Sequence, residues 1–170
     1  YLKEMQTARA EGRITRVPVD RMLPVDTDWD LGIADAMSIW FSQSLRSGEV
    51  RLVDYYEAPG EGFPHYIGVL KDKGYIYGKH YPPHDIAVRE LGSGKSRKEI
   101  AKGLGLTFQE PITPAPELAD GINAVRLLLA QCYFDETRCA KGIECLRQYR
   151  KAFNTRLDEF TGTPVHNWAS

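Results

Sequence analysis

Four aspartates lie within ten residues near the start of the chain: Asp26, Asp28, Asp30 and Asp35. The composition of residues 25–31 is typical of a strand, and because strand side chains alternate, the first three acids share one face. Three like charges so close together repel each other and cannot all enter an apolar core. A divalent cation would relieve that repulsion. The alternative is ordinary turn chemistry, in which Asp35 starts a hairpin turn.

A fifth aspartate, Asp85, follows the sequence Tyr-Pro-Pro-His at residues 81–84. A strand is predicted over residues 75–81, so Asp85 comes after a strand's carboxyl end, where ligands bind in α/β sheets. The rigid proline pair would fix the directions of both His84 and Asp85. The alternative is a capped turn in which Asp85 only accepts backbone N–H groups.

Considered together, these acids predict a metal centre. Asp30 ends the first predicted strand and Asp85 follows the fourth, an arrangement that suits two neighbouring parallel strands of one sheet. Two carboxylates there could hold one or two Mg²⁺ or Mn²⁺ ions about 4 Å apart, which activate water and stabilise the leaving oxygen of a phosphodiester. Asp35 is a candidate third ligand, and His84 and Asp28 are candidate accessory residues.

A basic segment follows Asp85. Residues 89–102 carry a net charge of +3, and the predicted helix start at Ser96 offers N–H groups to a phosphate. Lys95, Arg97 and Lys98 are therefore candidates for binding the DNA backbone, with a solvated helix face as the alternative. Residues 138–156 are also basic, and there a solvated amphipathic helix is the favoured interpretation. Gly94-Lys95-Ser96 is not a P-loop, because Arg89 stands where that motif needs glycine.

Composition excludes several classes of protein. Net charge is −1, so any nucleic-acid partner must be bound by local patches rather than a global basic field. The apolar share of 42% and charged share of 26% are typical of one globular domain. An odd count of three cysteines without a CxxC pair argues against a disulfide framework or a zinc site, and favours reduced thiols. No apolar run is long enough for a membrane helix.

The elements that must position these residues follow from periodicity and punctuation. A polar helix over 2–11 and a connector over 13–24 precede a predicted antiparallel meander of three strands. A helix over 63–73, a strand over 75–81, a short helix over 96–104 with a Ser96–Glu99 capping box, and a strand over 108–112 follow. Two helices, 117–132 and 136–154, close the chain with apolar stripes that should face the core.

These elements predict an α/β fold. Its centre is a mixed sheet of about five strands, the first three antiparallel, with flanking helices. The whole chain, 1–170, is interpreted as a single domain, with an N-terminal helix and connector over 1–24 and the core with C-terminal helices over 25–170. The start without methionine suggests a fragment of a longer protein.

Several of these stretches resemble one known family, the nuclease domains of phage terminase large subunits. Trp29-Asp30-Leu31-Gly32 with Asp35-Ala36 resembles the family's first motif, and residues 81–85 resemble its second. Further similarity lies in residues 94–105, in Gly121-Ile122-Asn123-Ala124-Val125-Arg126 and in Cys145-Leu146-x-x-Tyr149. The order and spacing of these motifs carry the resemblance, which extends over nearly the whole chain from Gly12.

The resemblance implies a ribonuclease H-like fold that cuts double-stranded DNA with two metals during viral genome packaging in the host cytoplasm. It implies an ATPase motor on the same parent chain, and the portal and the small terminase subunit as partners. Asp30 would bridge both metals, Asp85 would be the second ligand and Asp35 would assist. The family's third acid follows a segment like residues 166–170, so the metal site within this sequence is expected to be incomplete and weakly active.

Two other functions remain open from the sequence. In a DNA- or protein-binding module the same acids would be structural, and no metal concentration would produce cleavage. In another ribonuclease H-like nuclease, such as a junction resolvase, branched substrates would be preferred over plain duplex.

Overall fold

A computed structural model describes residues 1–31, 36–89, 94–115, 117–149, 151–154 and 159–164. The N-terminal half contains α1 (Leu2–Ala10), β1 (Ile14–Thr15), β2 (Val25–Asp30), β3 (Ala36–Ser44), β4 (Val50–Pro59), α2 (Phe63–Lys73) and β5 (Tyr77–Tyr81). The C-terminal half contains α3 (Arg97–Gly103), α4 (Leu118–Leu129), β6 (Cys132–Asp135), α5 (Ala140–Gln148), β7 (Lys151–Asn154) and β8 (Glu159–Pro164).

A six-stranded mixed sheet is the centre of the molecule, in the order β1-β6-β4-β3-β2-β5. The pairs β2–β3 and β3–β4 are antiparallel, and every other pair in this sheet is parallel. The predicted meander is therefore confirmed, and so is the return of the chain through α2 to a strand parallel to β2. Strands β7 and β8 form a separate antiparallel pair.

One face of this sheet is closed by a continuous apolar core. Alternation in β2 buries Val25, Thr27 and Trp29 on that face and places the three aspartates on the other. The buried cluster joins these residues to β3, to α2 and to the chain around α3. Trp29 packs edge-on against Phe108, with ring centroids 5.3 Å apart.

The opposite face is only partly covered. A second core joins Met5 and Ala8 of α1 to Phe134 of β6 and Ile143 of α5, over the half of the sheet formed by β4 and β6. Over β2 the same face carries the exposed side chains of Asp28 and Asp30. The acids therefore lie on an open strip of sheet beside a helix-covered strip.

The helix boundaries predicted from caps are confirmed where a cap exists. Helix α2 ends at Gly74, whose left-handed φ of 64° only glycine adopts readily. At the start of α3, Ser96 and Glu99 form the predicted reciprocal capping box.

Other elements differ from the sequence-based prediction. The sheet has six strands rather than five because the connector contributes β1, and because β6 forms at the predicted end of a helix. No strand forms over 108–112: Gln109 N–H donates to the His80 carbonyl oxygen (2.8 Å), but Pro111 has no N–H for the next ladder bond. The last predicted helix ends at Gln148, and β7 follows.

The predicted apolar stripe of α4 was partly wrong, since Leu129 is buried but Leu118 is half exposed. The cysteines carry free thiols, as predicted, and two of them are buried. None of the helices in the described part of the chain combines the length and apolar character needed to cross a bilayer.

Candidate metal centre

Asp30 and Asp85 lie at the same edge of the sheet. Asp30 is the last residue of β2, and β5, its parallel neighbour, ends at Tyr81 just before the turn that carries Asp85. Desolvation raises the pKa of Asp30, and the negative charge of Asp85 raises it further, while a hydrogen bond from the Leu31 N–H opposes the rise. Two residues far apart in sequence thus place their carboxylates close enough to repel each other.

Buried contacts fix the turn that presents Asp85. Ile86, the next residue, is fully buried in the core. The Ile86 N–H donates to the Pro83 carbonyl (3.3 Å), the Val88 N–H donates to the Asp85 carbonyl (2.9 Å), and Lys98 N–H of α3 donates to the Ile86 carbonyl (3.2 Å). The direction of Asp85 is therefore set by the core and by α3. His84 is exposed beside it.

The backbone that follows Asp30 is held by a basic side chain. Leu31 is buried, and its carbonyl oxygen accepts a hydrogen bond from Arg97 Nη1 (2.9 Å). Arg97 therefore links the start of α3 to the exit of β2. It is directed at protein backbone, whereas the sequence interpretation assigned it to DNA.

The other two members of the aspartate row have different partners. Asp26 Oδ1 accepts the Lys79 N–H (2.7 Å) at a register shift between β2 and β5, so it satisfies a backbone donor that the ladder leaves unpaired. Desolvation and then the charge of Asp26 raise the pKa of Asp28 to about 6, against an opposing hydrogen bond from Ser42. Part of the Asp28 side chain reaches solvent, but its carboxyl group lies among neighbouring atoms that exclude much of the water.

The remaining residues proposed for the site are dispersed. Lys98 Nζ pairs with Glu110 Oε1 (2.7 Å) on the surface, and Lys95 is exposed. Asp35, the candidate third ligand, lies outside the described residues. Within the described ranges, no three His, Cys, Asp or Glu side chains form a group that could hold a metal.

Sequence reasoning missed a charged pair on the same sheet face. Asp30 is opposite Ser38 of β3, and Ser38 is opposite Glu57 of β4, whose Oε1 lies 2.6 Å from Lys141 Nζ of α5. Alternation within residues 50–59 could have placed Glu57 on one face of β4. No local pattern connects it to Lys141, because that contact depends on how α5 packs.

The chemistry of the Asp30–Asp85 pair suits a hard divalent cation. Both ligands are carboxylates, which Mg²⁺ and Mn²⁺ prefer, and a bound cation would offset the repulsion that raises the pKa of Asp30. Solvent reaches the pair, since Asp30 is exposed and Asp85 is partly exposed.

No protein-family model matches the chain, and no curated protein sequence does. Solved structures do match. The nuclease domain of the P22 large terminase superposes with a TM-score of 0.67 and 17% sequence identity, over 90% of this chain and 81% of that domain. The chain has the fold of a phage large terminase nuclease domain. The ribonuclease H-like fold class expected from the sequence is thereby confirmed.

Two further structures with the terminase nuclease fold contain a metal. The SPP1 domain with bound manganese gives a TM-score of 0.52 at 10% identity, over 85% of this chain and 77% of that one. The G20c nuclease with bound cobalt gives 0.56 at 15% identity, over 92% and 86%. A large terminase from another thermophilic bacteriophage is longer: this chain spans 38% of it, with a TM-score of 0.61 at 13% identity over 91% of this chain. At these identities the similarity establishes the fold alone.

Proposed function

We propose that this chain is a metal-dependent endonuclease that cleaves double-stranded DNA during viral genome packaging. The observation that carries the proposal is the meeting of Asp30 and Asp85 at the end of two parallel strands, with a mutual repulsion that a cation would offset. The terminase nuclease fold supports it, and so do the metals bound to the SPP1 and G20c domains.

Asp30 and Asp85 would hold the metal, with Asp35 as a third ligand. Mg²⁺ or Mn²⁺, when bound, supplies activation of water and stabilisation of the leaving oxygen of the phosphodiester, by the two-metal mechanism. The protein's part is to fix the direction of each carboxylate. The Leu31 N–H orients Asp30, Arg97 holds the Leu31 carbonyl, and the buried Ile86 holds the turn of Asp85. His84 and Asp28 flank the pair as accessory residues.

Lys95 and Lys98 are proposed to bind phosphates of the DNA backbone. Lys98 pairs with the exposed Glu110, and such a surface pair contributes only about 0–1 kcal/mol, so a phosphate can replace Glu110. Arg97 is assigned to the support of Asp30 instead. We further propose that the parent chain carries the ATPase motor, engages the portal and the small terminase subunit, and acts in the host cytoplasm.

Plasmid nicking tests the proposal. The chain is incubated with supercoiled plasmid in Mn²⁺, in Mg²⁺ and in EDTA, and Asp30→Asn and Asp85→Asn are compared with the wild type. Losing an outer-shell residue costs metal sites about 10- to 100-fold, so losing either ligand should slow nicking by at least about 100-fold. Asp72→Asn, on the exposed face of α2, is the matched control and should keep the wild-type rate.

Each alternative function predicts a distinct result in the same assay. A binding module would retain plasmid without nicking it at any metal concentration. A resolvase would cut a four-way junction faster than linear duplex. Wild-type nicking rates in both Asp30→Asn and Asp85→Asn would overturn the site assignment.

A further inference from the structure

A lysine–glutamate pair lies on the same face of the sheet as Asp30, in the same transverse row. Asp30, Ser38 and Glu57 are directly opposed across β2, β3 and β4. Neighbouring strands are about 4.8 Å apart, so the Cα atom of Glu57 lies roughly 10 Å from that of Asp30. Lys141 of α5 reaches this row through its contact with Glu57.

Close packing of α5 on the sheet brings Lys141 to this position. A Cβ atom at Gly142 would come within 2.6 Å of Trp40 Cζ2 and 2.8 Å of Tyr55 Cδ2, so the helix backbone lies almost directly on these two rings. Trp40 is opposite Asp28 across the β2–β3 pair. The absence of a side chain at Gly142 therefore lets α5 border the open strip that carries the aspartates.

The two partners of the ion pair differ in exposure. The Glu57 side chain is 9% exposed, and its second oxygen accepts a hydrogen bond from the Tyr55 hydroxyl. The Lys141 side chain is 59% exposed. An ammonium group has three N–H donors, so Lys141 can donate to Glu57 and still donate to a ligand in solvent. Glu57 is thus a fixed anchor, and Lys141 is a held but accessible cation.

We propose that Lys141 binds a phosphate of the DNA strand that lies across the Asp30–Asp85 pair. This inference rests on the proposed nuclease function. A strip of carboxylates repels a polyanion, so a strand laid along it needs cations at its border. The roughly 10 Å between the Cα atoms of Asp30 and Glu57 corresponds to about three nucleotide steps at 3.4 Å rise.

Lysine suits this role because it acts as a point charge without base preference. Glu57 holds the side chain extended before DNA arrives, which lowers the conformational entropy that binding must otherwise remove. Arg147 lies on the same helix, is 48% exposed and pairs with Glu144 (3.0 Å), but it has no contact with the acidic row among the described residues. It provides a matched control.

Salt-dependent duplex binding in EDTA tests the proposal independently of catalysis. Fluorescence anisotropy of a labelled duplex is measured for the wild type, Lys141→Gln and Arg147→Gln at several NaCl concentrations. A lost phosphate contact should reduce the slope of log K against log salt by about 0.9 in Lys141→Gln, for any duplex sequence. Arg147→Gln should keep the wild-type slope. Equal slopes in the two variants would overturn the proposal.

A second variant separates DNA binding from stability. Lys141→Gln leaves Glu57 without its partner and is expected to lower the melting temperature. The double variant Glu57→Gln/Lys141→Gln removes that charge, so it should recover the melting temperature but keep the reduced slope. Recovery of the slope together with the melting temperature would mean that Lys141 only holds α5 to the sheet. A wild-type chain that shows the predicted slopes but no metal-dependent nicking would contradict the proposed nuclease function and leave the phosphate site standing.

Discussion

Three aspartates at alternating positions of one strand acquire three different roles from their neighbours. Asp26 accepts a backbone N–H, Asp28 is hydrogen-bonded by Ser42, and Asp30 faces the charge of Asp85. Strand periodicity could place all three on one face, but it could not distinguish them. The distinguishing partners come from β5, from β3 and from the turn after β5, and so depend on the assembled sheet.

Asp135 shows how strongly a buried aspartate can be stabilised by donors. It accepts hydrogen bonds from the N–H groups of Val17, Thr137 and Arg138 and from the Arg138 guanidinium. Burial alone would raise the pKa of Asp135, but the hydrogen bonds and charge of Arg138, with the Val17 N–H, outweigh it and lower the pKa to about 2. Asp135 therefore ties the end of β6 to the connector after β1.

This pKa predicts a pH-dependent contribution to stability. The folded pKa lies below the unfolded value of about 3.9, so the stabilisation is present above about pH 4 and is lost as pH falls toward 2. Asp135→Asn should lower the free energy of unfolding at pH 7 by about 1–3 kcal/mol. Urea denaturation at pH 7, 4 and 3 should show the difference between wild type and variant shrinking. A difference that stays constant over this range would contradict the assignment.

At the scale of elements, an irregularity in β5 sets the register beside Asp30. Val25 is opposite Tyr77, but Thr27 is opposite His80, so β5 contains one extra residue. Gly78 lies in this bulge, where a Cβ atom would collide with the Asp26 carboxylate and come within 3.0 Å of Pro24 Cβ. Because the bulge moves the rest of β5 by one position, it also fixes where the turn with Asp85 begins.

A pair of glycine substitutions tests this device. Gly78→Ala should lower the free energy of unfolding by about 1–3 kcal/mol because the bulge cannot accommodate the methyl group. Gly68→Ala, inside α2 with no atom within 4 Å of the added Cβ, should raise it by about 0.5–1 kcal/mol. Urea denaturation of both variants measures the contrast. A Gly78→Ala variant as stable as the wild type would show that the bulge has room to relax.

The sequence predicts long, capped elements better than short or packed ones. Helix α2 is bounded by Gly62 and Gly74, and α3 by its capping box, so their limits are written locally. The two residues of β1 and four of β6 have no period of their own and form strands only because a neighbouring strand pairs with them. The contact between Glu57 and Lys141 depends on how α5 packs on the sheet, which periodicity does not encode.

For the whole molecule, one sheet supports two functions on its two faces. The closed face, with Trp29 and the fully buried Tyr66, supplies most of the core, and the opposite face is divided between α5 and the open aspartate strip. The carboxylate pair therefore lies on a rigid support and is still accessible to solvent. This division of faces explains how the chain keeps the terminase nuclease fold at 17% identity to the P22 domain, since alternation can be preserved while most residues change.

The central claim is that Asp30 and Asp85 form one cation site, and a calorimetric Mn²⁺ titration tests it most directly. Wild type, Asp30→Asn, Asp85→Asn, the double variant and the Asp72→Asn control are titrated under identical conditions. A shared site predicts that each single variant weakens Mn²⁺ binding by at least about 10-fold, and that the double variant binds little more weakly than either single one. The control should bind as the wild type does. Undiminished Mn²⁺ binding in both single variants, or independent additive losses in the double variant, would contradict the account.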